Sequence, residues 1–273
     1  MKPFINITAN SLPEAYEELL LEIYEANYWS KKESYVPGKE YDRILECSSN
    51  VLILNLLEEP MISGVLPLPI WKNFPTYIRD ILLGEKDYLV GRGIYTYTYH
   101  DRIFNRIGGP GGQLLYVIQK LGEAPYSNRV QITTWIPEVD SKLDAPPCLQ
   151  RIWFKIDDDK NFYVESDWRS RDLYCAWYEN VMGIAAIGLL VIECLNDYFH
   201  MNLPRSIIYR DSCNSLHVYE QKYNEFKKDV ETLKNRRPKR FSTTDPYVKA
   251  KAGDIFSAVY EAKRLYFDPT FKQ

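Results

Sequence analysis

Cys148 stands behind Pro146 and Pro147, and farther on the chain reads Arg169-Ser170-Arg171-Asp172 at the mouth of a long apolar run. A thiol is nucleophilic as its thiolate, the form that nearby arginines or a helix N-terminus favour. Guanidinium forks, a hydroxyl and free helix N–H groups suit an oxyanion such as phosphate. Together these are the parts of a covalent enzyme acting on an anionic substrate. Each part also has a plainer reading. A lone cysteine is more often a small buried hydrophobe, and Asp167, Arg169, Arg171 and Asp172 have the make-up of a surface salt-bridge cluster. The other thiols are weaker nucleophiles on this pattern. Cys175 and Cys194 fall on the apolar run, and Cys47 and Cys213 have no distinctive charged setting.

The elements that must position these groups follow from periodicity. Residues 149–156 and 161–168 alternate and read as a hairpin turned at 157–161. Residues 172–200 read as one helix, apolar on nearly every face from Val181 onward and therefore central to a core. Upstream, 12–27 is an amphipathic helix with Ser11 as its N-cap and Pro13 and Glu14 in the first turn. The polar stretch 31–46, with Pro37-Gly38, reads as a solvated loop, with Lys39 or Arg43 as the residue that would touch an anion from it. Residues 50–57 form a strand apolar on both faces. Residues 60–75 are proline-rich and irregular, and a helix over 76–83 stops at Gly84.

Residues 94–104 alternate tyrosine with threonine, as a strand edge or the lip of a pocket would. The glycines of 108–112 make a turn and not a phosphate loop, because the lysine of GxxxxGK[ST] is missing. A helix over 113–122 and a strand over 129–135, ended by Pro137, follow. Later come strands at 206–210 and 214–219, a charged helix over 220–235, a basic segment over 236–252 and a last helix over 253–266. The sum is an α+β fold: one domain over 1–273, with a mixed or antiparallel sheet packed by a long central helix.

Composition narrows the function. Hydrophobic residues make up 45% and charged residues 26%, an ordinary globular balance. A net charge of -3 argues against a general nucleic-acid binder. The 22 tyrosines fit flat pockets, an interface or a large stacked core. Five cysteines without CxxC spacing argue against a disulfide framework or a zinc site, and point to a reducing cytosol. The N-terminus has no apolar core of the signal-peptide kind. The run 181–195 is broken by Glu193 and is too short to span a bilayer, so a soluble cytoplasmic protein without a membrane partner is expected.

Taken as a set, Pro147-Cys148, Arg169-Ser170-x-Asp172 and then Asn180 resemble the thymidylate synthase family, over roughly residues 94–235. Two further pieces agree: Ser127-Asn128-Arg129 before the strand that ends in Trp135, and His217-Val218-Tyr219 before a charged helix. The N-terminal part is nearer the compact archaeal and hydroxymethylase-like branches. The resemblance implies a pyrimidine nucleoside monophosphate as substrate, 5,10-methylenetetrahydrofolate as one-carbon donor and a homodimer.

It also implies roles. Cys148 attacks C6 of the base; Arg169 and Ser170 hold the 5′-phosphate, with Arg129 arriving from the partner subunit. Asn180 reads the base and suits uracil, His217 and Tyr219 bind the ribose hydroxyl, and Asp172 anchors the pterin. Tyr99, or Tyr97 in a shifted register, lies near the nucleophile. The reaction implied first is methylation of dUMP to dTMP.

Several residues depart from the family pattern. Leu149 replaces a histidine after the cysteine, Trp168 a glutamine before the Arg-Ser pair, and Asn128 an arginine. That last loss leaves Arg171, Lys39 or Arg43 to restore the missing phosphate charge. The family's N-terminal glutamate has no clear counterpart among Asp80, Glu85 and Glu46. The end of the chain, Phe271-Lys272-Gln273, lacks the apolar tail that closes related sites. A site open to water would yield a hydroxymethyl product, so a hydroxymethylase of UMP, dUMP, CMP or dCMP is the alternative, and a non-catalytic nucleotide-binding protein a third. In this context 236–252 is a dimer edge, a contact for a folate polyglutamate or simply solvated, the last being the plainest.

Overall fold

Buried and half-exposed residues alternate along the longest strands, so that one face of each must be covered. In the computed structural model, which describes residues 1–34, 36, 38–105 and 111–271, these strands join in a mixed eight-stranded sheet. β1 (Phe4–Ala9) leads into α1 (Leu12–Ala26), and β2 (Trp29–Glu33) turns back into β3 (Tyr41–Ile53). The short β4 (Ile62–Ser63) precedes α2 (Leu68–Leu83) and the single turn α3 (Tyr88–Gly91). A π-helical turn at Asp101–Asn105 and α4 (Gly112–Glu123) lead to β5 (Gln131–Thr133) and the turn α5 (Pro137–Asp140).

The hairpin β6 (Leu149–Ile156) and β7 (Phe162–Trp168) comes next, then β8 (Arg171–Asp172). A π-helical turn at Leu173–Trp177 opens α6 (Tyr178–Phe199). The chain ends with β9 (Ile208–Tyr219), α7 (Tyr223–Asn235), β10 (Arg240–Phe241), α8 (Pro246–Ala252), α9 (Ser257–Ala262) and α10 (Asp268–Phe271).

The sheet runs β1-β3-β9-β7-β6-β5, with β2 on β3 and β8 on β9. β7 and β9 are parallel, whereas β6 lies antiparallel to β7 and β3 antiparallel to β9. Parallel neighbours cannot be joined by a tight turn, and α6 is the crossover that joins them. It lies deep: Gly188 approaches the sheet so closely that a Cβ there would stand 2.6 Å from Ile207 Cδ1. The stretch Leu173–Phe199 is apolar enough to cross a membrane by composition, but 83% of its most apolar part is buried inside the fold, which makes it a core helix.

This topology brings five chain segments to one edge. The ends of β7 and β9 lie there because those strands are parallel. The start of β6 joins them through the pairing of Leu149 with Trp168. The start of β3 follows through Ile44 opposite Tyr219, and β2 adds Lys32 opposite Asp42.

The α+β class, the hairpin and the central helix are as the sequence indicates, but several stretches differ. Residues 31–46 are mostly β2 and β3, because the polar β2 residues are an edge strand that needs no hydrophobic alternation. The strand expected at 50–57 therefore begins at Tyr41 and ends at Ile53. Residues 60–75 contain β4 and the first half of α2; Pro69 lies in its first turn and Pro75 is carried inside the helix. Residues 94–104 are no strand; they are lip and π-helical turn.

The strand expected over 129–135 is only β5, and those expected at 206–210 and 214–219 are one strand, β9. Residues 211–213 between them alternate in burial like their neighbours. The basic segment 236–252 is not simply solvated. Arg240 is ion-paired with Glu17, Phe241 pairs with Ile62 in the β4–β10 ribbon, and 246–252 is α8. Beyond it, the single helix expected over 253–266 is α9 followed by a π-helical turn at Lys263–Phe267. Of the glycine turn, Gly108, Gly109 and Pro110 lie outside the described residues, as do Lys272 and Gln273 of the tail; Gly111 and Gly112 have φ of 84° and 51° and lead into α4. Phe271 stacks on Tyr198, centroids 4.7 Å apart.

Gly183 sets how α2 lies on α6, since a Cβ there would stand 2.7 Å from the Tyr77 ring. Gly183→Ala gains about 1 kcal/mol of helix propensity but overpacks this contact at a cost of about 1–3 kcal/mol. We expect a net loss, read as a lower urea midpoint. A midpoint equal to or above wild type would show that the Tyr77 ring yields freely.

Candidate active site

The common edge of these strands holds a cavity of about 270 Å³, lined by residues of β2, β7, β8 and β9, by Cys148 just before β6 and by Asn180 at the start of α6. Cys148 lies on its wall, half-buried, just before β6. Its carbonyl accepts from the Arg169 backbone N–H at 3.0 Å, which closes the open end of the hairpin. The Arg169 guanidinium is turned to the approach of the cysteine, donating to the carbonyls of Pro146 at 2.6 Å and Pro147 at 2.9 Å. Tyr99 supports the same turn from above: its hydroxyl accepts from the Leu149 N–H at 3.1 Å, and its ring packs edge-on to Trp168. Burial holds the Tyr99 phenol well above its ordinary range, so it stays protonated.

Beneath the cavity is a buried ion pair. Arg171 Nη1 donates to Asp211, Nη2 donates to the Trp177 carbonyl at 3.3 Å, and the guanidinium carbon lies 3.8 Å from the Trp168 ring centroid. Asp211 also accepts from Tyr209 Oη at 2.7 Å and Trp177 Nε1 at 3.2 Å. A buried pair is tolerable only when its remaining polar valences are satisfied in this way. Arg171 Nε reaches Asn180 Oδ1 at 3.3 Å, and Asn180 Nδ2 donates to Tyr77 Oη at 2.9 Å.

The side of the cavity formed by β2 and β9 carries His217, Tyr219 and Lys32. His217 Nδ1 lies 3.0 Å from the Ser215 carbonyl, an acceptor, so Nδ1 holds the proton and Nε2 accepts. Its partner is Lys32 Nζ at 3.3 Å, which also donates to Tyr219 Oη. Burial, and then the Lys32 charge, push His217 down to about 4, so it is neutral at physiological pH. Burial lowers Lys32 as well, while Cys148 and Asp172 act in the opposite sense. Asp172 caps the π-helical turn by accepting from the N–H groups of Tyr174 and Cys175, both at 2.9 Å, and burial raises its carboxyl.

A second cavity, about 440 Å³, adjoins the first across Tyr99 and is walled by Tyr77, Tyr95, Tyr97, Asp80 and Lys86. Asp80 pairs with Lys86 through Oδ2, and its Oδ1 is buried without a hydrogen-bond partner among the described residues. Close by, burial pushes the Glu179 carboxyl up to about 7, with Asp80 and Asp172 adding to the rise and Lys86 opposing it.

The fold thus gathers Cys148, Tyr99, Ser170, Asp172, Asn180, His217 and Tyr219 around one space. Tyr97 faces the larger cavity only. Arg129 is exposed ahead of β5 and lines neither cavity. Lys39 and Arg43 are paired with Asp42 and Glu220. Glu46 bonds Ser30, and Glu85 bonds Arg79. Sequence reading missed Lys32, because treating 31–46 as loop hid the strand that aims it, and of its three candidates for the missing phosphate charge Arg171 is instead paired with the buried carboxylate of Asp211.

A family profile described as thymidylate synthase matches residues 68–262. A Methanosarcina mazei protein named "Putative thymidylate synthase" is 38% identical over 145 residues, covering 52% of this chain and 63% of that protein. One of the same name from Methanococcoides burtonii is 26% identical over 180 residues, covering 65% of this chain and 76% of its own. The match spans 63%, 57% and 60% of the length of three such archaeal relatives. The solved thermostable thymidylate synthase A from Bacillus subtilis superposes with a TM-score of 0.61 at 15% identity, covering 85% of this chain and 86% of that one. That likeness is one of fold.

Glu179 gives the site a pH signature. Its folded pKa, about 7, lies above the ordinary 4.5. The stabilisation due to its protonated form is therefore complete below about pH 4.5 and is lost as pH rises through about 7. Glu179→Gln removes that loss. Relative to wild type, the variant should gain on the order of 1–2 kcal/mol between pH 5 and 8, after allowance for solvent screening. Urea midpoints across that range test it; parallel curves would mean that Glu179 is solvated.

Proposed function

The chain belongs to the thymidylate synthase family, and on that premise we propose that it transfers a one-carbon unit to C5 of a pyrimidine nucleotide, converting dUMP to dTMP through a covalent adduct of Cys148. The observation that carries this is the convergence of Cys148, Asn180, Asp172, His217 and Tyr219 on one cavity. All of chain 1–273 is read as one catalytic domain.

In this reading the Cys148 thiolate adds to C6 of uracil, and the electron pair moves to C5 and O4. Donors near O4 stabilise that charge as it develops. Asn180 faces the base edge, and phosphate binding holds the ring in attack geometry. Ser170 and Lys32 lie on the cavity wall in reach of the sugar-phosphate end, and Arg169 adds positive charge behind Cys148. After transfer, loss of the C5 proton to a base would release the carbon from its donor, and once hydride has reduced that carbon to methyl the C6–S bond would break and return the thiolate.

The larger cavity suits the donor. Its tyrosine walls fit a flat heteroaromatic ring, and the unpartnered Asp80 Oδ1 fits a ring N–H. There, methylenetetrahydrofolate would supply the one-carbon unit and the hydride that reduces it to methyl. Tyr77, Tyr95, Tyr97 and Asp80 would hold it, and Tyr99 stands between donor and nucleotide. Asp172 would bind the pterin from the nucleotide side.

A homodimer belongs to the same reading: Arg129, exposed outside its own cavity, would serve the phosphate of the partner subunit. The cytoplasm suits five unpaired cysteines, and neither nucleic acid nor membrane enters as a partner.

Hydroxymethylation is the second reading, favoured by Leu149 and Trp168 at the nucleophile. Water would then take the place of hydride.

Incubation with dUMP, UMP, dCMP or CMP and methylenetetrahydrofolate separates these readings. Dihydrofolate with a methylated base supports methylation, and tetrahydrofolate with a hydroxymethylated base supports the second reading. No turnover with any of the four would defeat both. Cys148→Ser should lower turnover by roughly 10³-fold or more with nucleotide binding kept; full activity would discard the covalent step. Lys32→Met should weaken dUMP binding by roughly 10- to 100-fold in calorimetry, and equal affinity would remove Lys32 from the site.

A further inference from the structure

The amide assigned to read the base is held in one of its two orientations. An asparagine amide has an acceptor end and a donor end, and only its partners decide which points where. At Asn180 the deciding partner is Arg171. Its guanidinium carries donors and no acceptor, so the group 3.3 Å from Arg171 Nε must be the amide oxygen. A flipped amide would set N–H against N–H.

Tyr77 does not decide the matter, because a hydroxyl donates or accepts equally well; here it accepts from Nδ2 at 2.9 Å. Arg171 cannot swing away to allow a flip. Asp211 holds Nη1, the Trp177 carbonyl holds Nη2, and the Trp168 ring lies 3.8 Å from the guanidinium carbon. Asp211 is itself fully buried and fastened by Tyr209 and Trp177.

The two pyrimidines present opposite edges to such an amide. Uracil offers an acceptor at O4 beside a donor at N3, and cytosine a donor at N4 beside an acceptor at N3. With Oδ1 turned to Arg171, Asn180 keeps a second Nδ2–H for O4, and the second lone pair of Oδ1 for N3–H. That pattern matches uracil at both positions and cytosine at neither.

We infer that Arg171, locked by Asp211, fixes the orientation of the Asn180 amide and thereby selects a nucleotide with a C4 oxo group over one with a C4 amino group. Arg171 is a positioning residue in this scheme, because it acts on the base through Asn180. The inference rests on the nucleotide reading above and assigns base choice within it.

The test is the ratio of dissociation constants for dCMP and dUMP, measured by calorimetry on the whole protein. Wild type should favour dUMP by roughly 10-fold or more, since a mismatched polar edge leaves buried groups unpaired. Arg171→Gln paired with Asp211→Asn leaves no uncompensated buried carboxylate, and glutamine can face either end of the amide. This double variant should bring the ratio down roughly 10-fold. Arg171→Lys, still donor-only, and Tyr77→Phe should both keep the wild-type ratio.

A folded double variant with the wild-type ratio overturns the inference while leaving the nucleotide reading intact. So does a wild type that binds dCMP as tightly as dUMP, a measurement that needs no variant to fold. Wild type that binds neither nucleotide defeats the nucleotide reading and the inference with it.

Discussion

Two parallel strands cannot be joined by a short turn, and most of what is distinctive about this site follows from that constraint. Because β7 and β9 are parallel neighbours, the chain must leave the end of β7, cross the sheet and return to the far end before β9 begins. The crossing is α6, whose start lies beside the end of β7 and whose burial fills the core. The ends of β7 and β9 then coincide with the start of α6, and the antiparallel neighbours β6 and β3 contribute their beginnings to the same edge. Ligands in open α/β sheets favour such a position beyond the carboxyl ends of parallel strands. Cys148, Ser170, Asp172, Asn180 and His217 meet there because the topology allows them no other common place.

Charge at that edge is sorted by depth. The deepest cation, Arg171, is neutralised by Asp211 and surrounded by indole and phenol groups that complete the hydrogen bonding. An ion pair so placed adds little net stability but resists rearrangement, because breaking it leaves a charge stranded in a low dielectric. Nearer the opening, Lys32 rests on the neutral His217 and on Tyr219, and Arg169 is turned to backbone carbonyls. The phenols of Tyr77 and Tyr99 are kept protonated by burial. The result is a wall of donors on a rigid base, which suits an anionic ligand.

Much of this was legible in the chain. The 149–156 and 161–168 runs alternate strictly enough to reveal the hairpin, and the apolar run after Asp172 reads as a long helix whose burial the structure settles. The residues of the cavity wall were also recognisable, Cys148 and Ser170 from their chemistry, and Asp172, Asn180, His217 and Tyr219 from the resemblance to the thymidylate synthase family. β2 was not legible: an edge strand such as Trp29–Glu33 leaves one backbone side to solvent and so carries no hydrophobic signature. Lys32 was lost with it. Segment 236–252 misled for a related reason, since the Arg240 charge that suggested solvent is matched by Glu17, some 220 residues earlier in sequence.

By itself, the sequence determined which chemistry is present: a thiol, amide, carboxylate and imidazole in an order tied to strand and helix starts, with the apolar periodicity that sets the α+β class. Only the tertiary structure decided which cations serve the cavity and which serve the core. Arg171 and Lys32 are both basic residues on polar stretches, and nothing in their local sequence says that one is buried against Asp211 while the other lines the cavity beside His217 and Tyr219. That choice depends on the register of β2 on β3 and of β8 on β9, and register is fixed by contacts between residues distant along the chain.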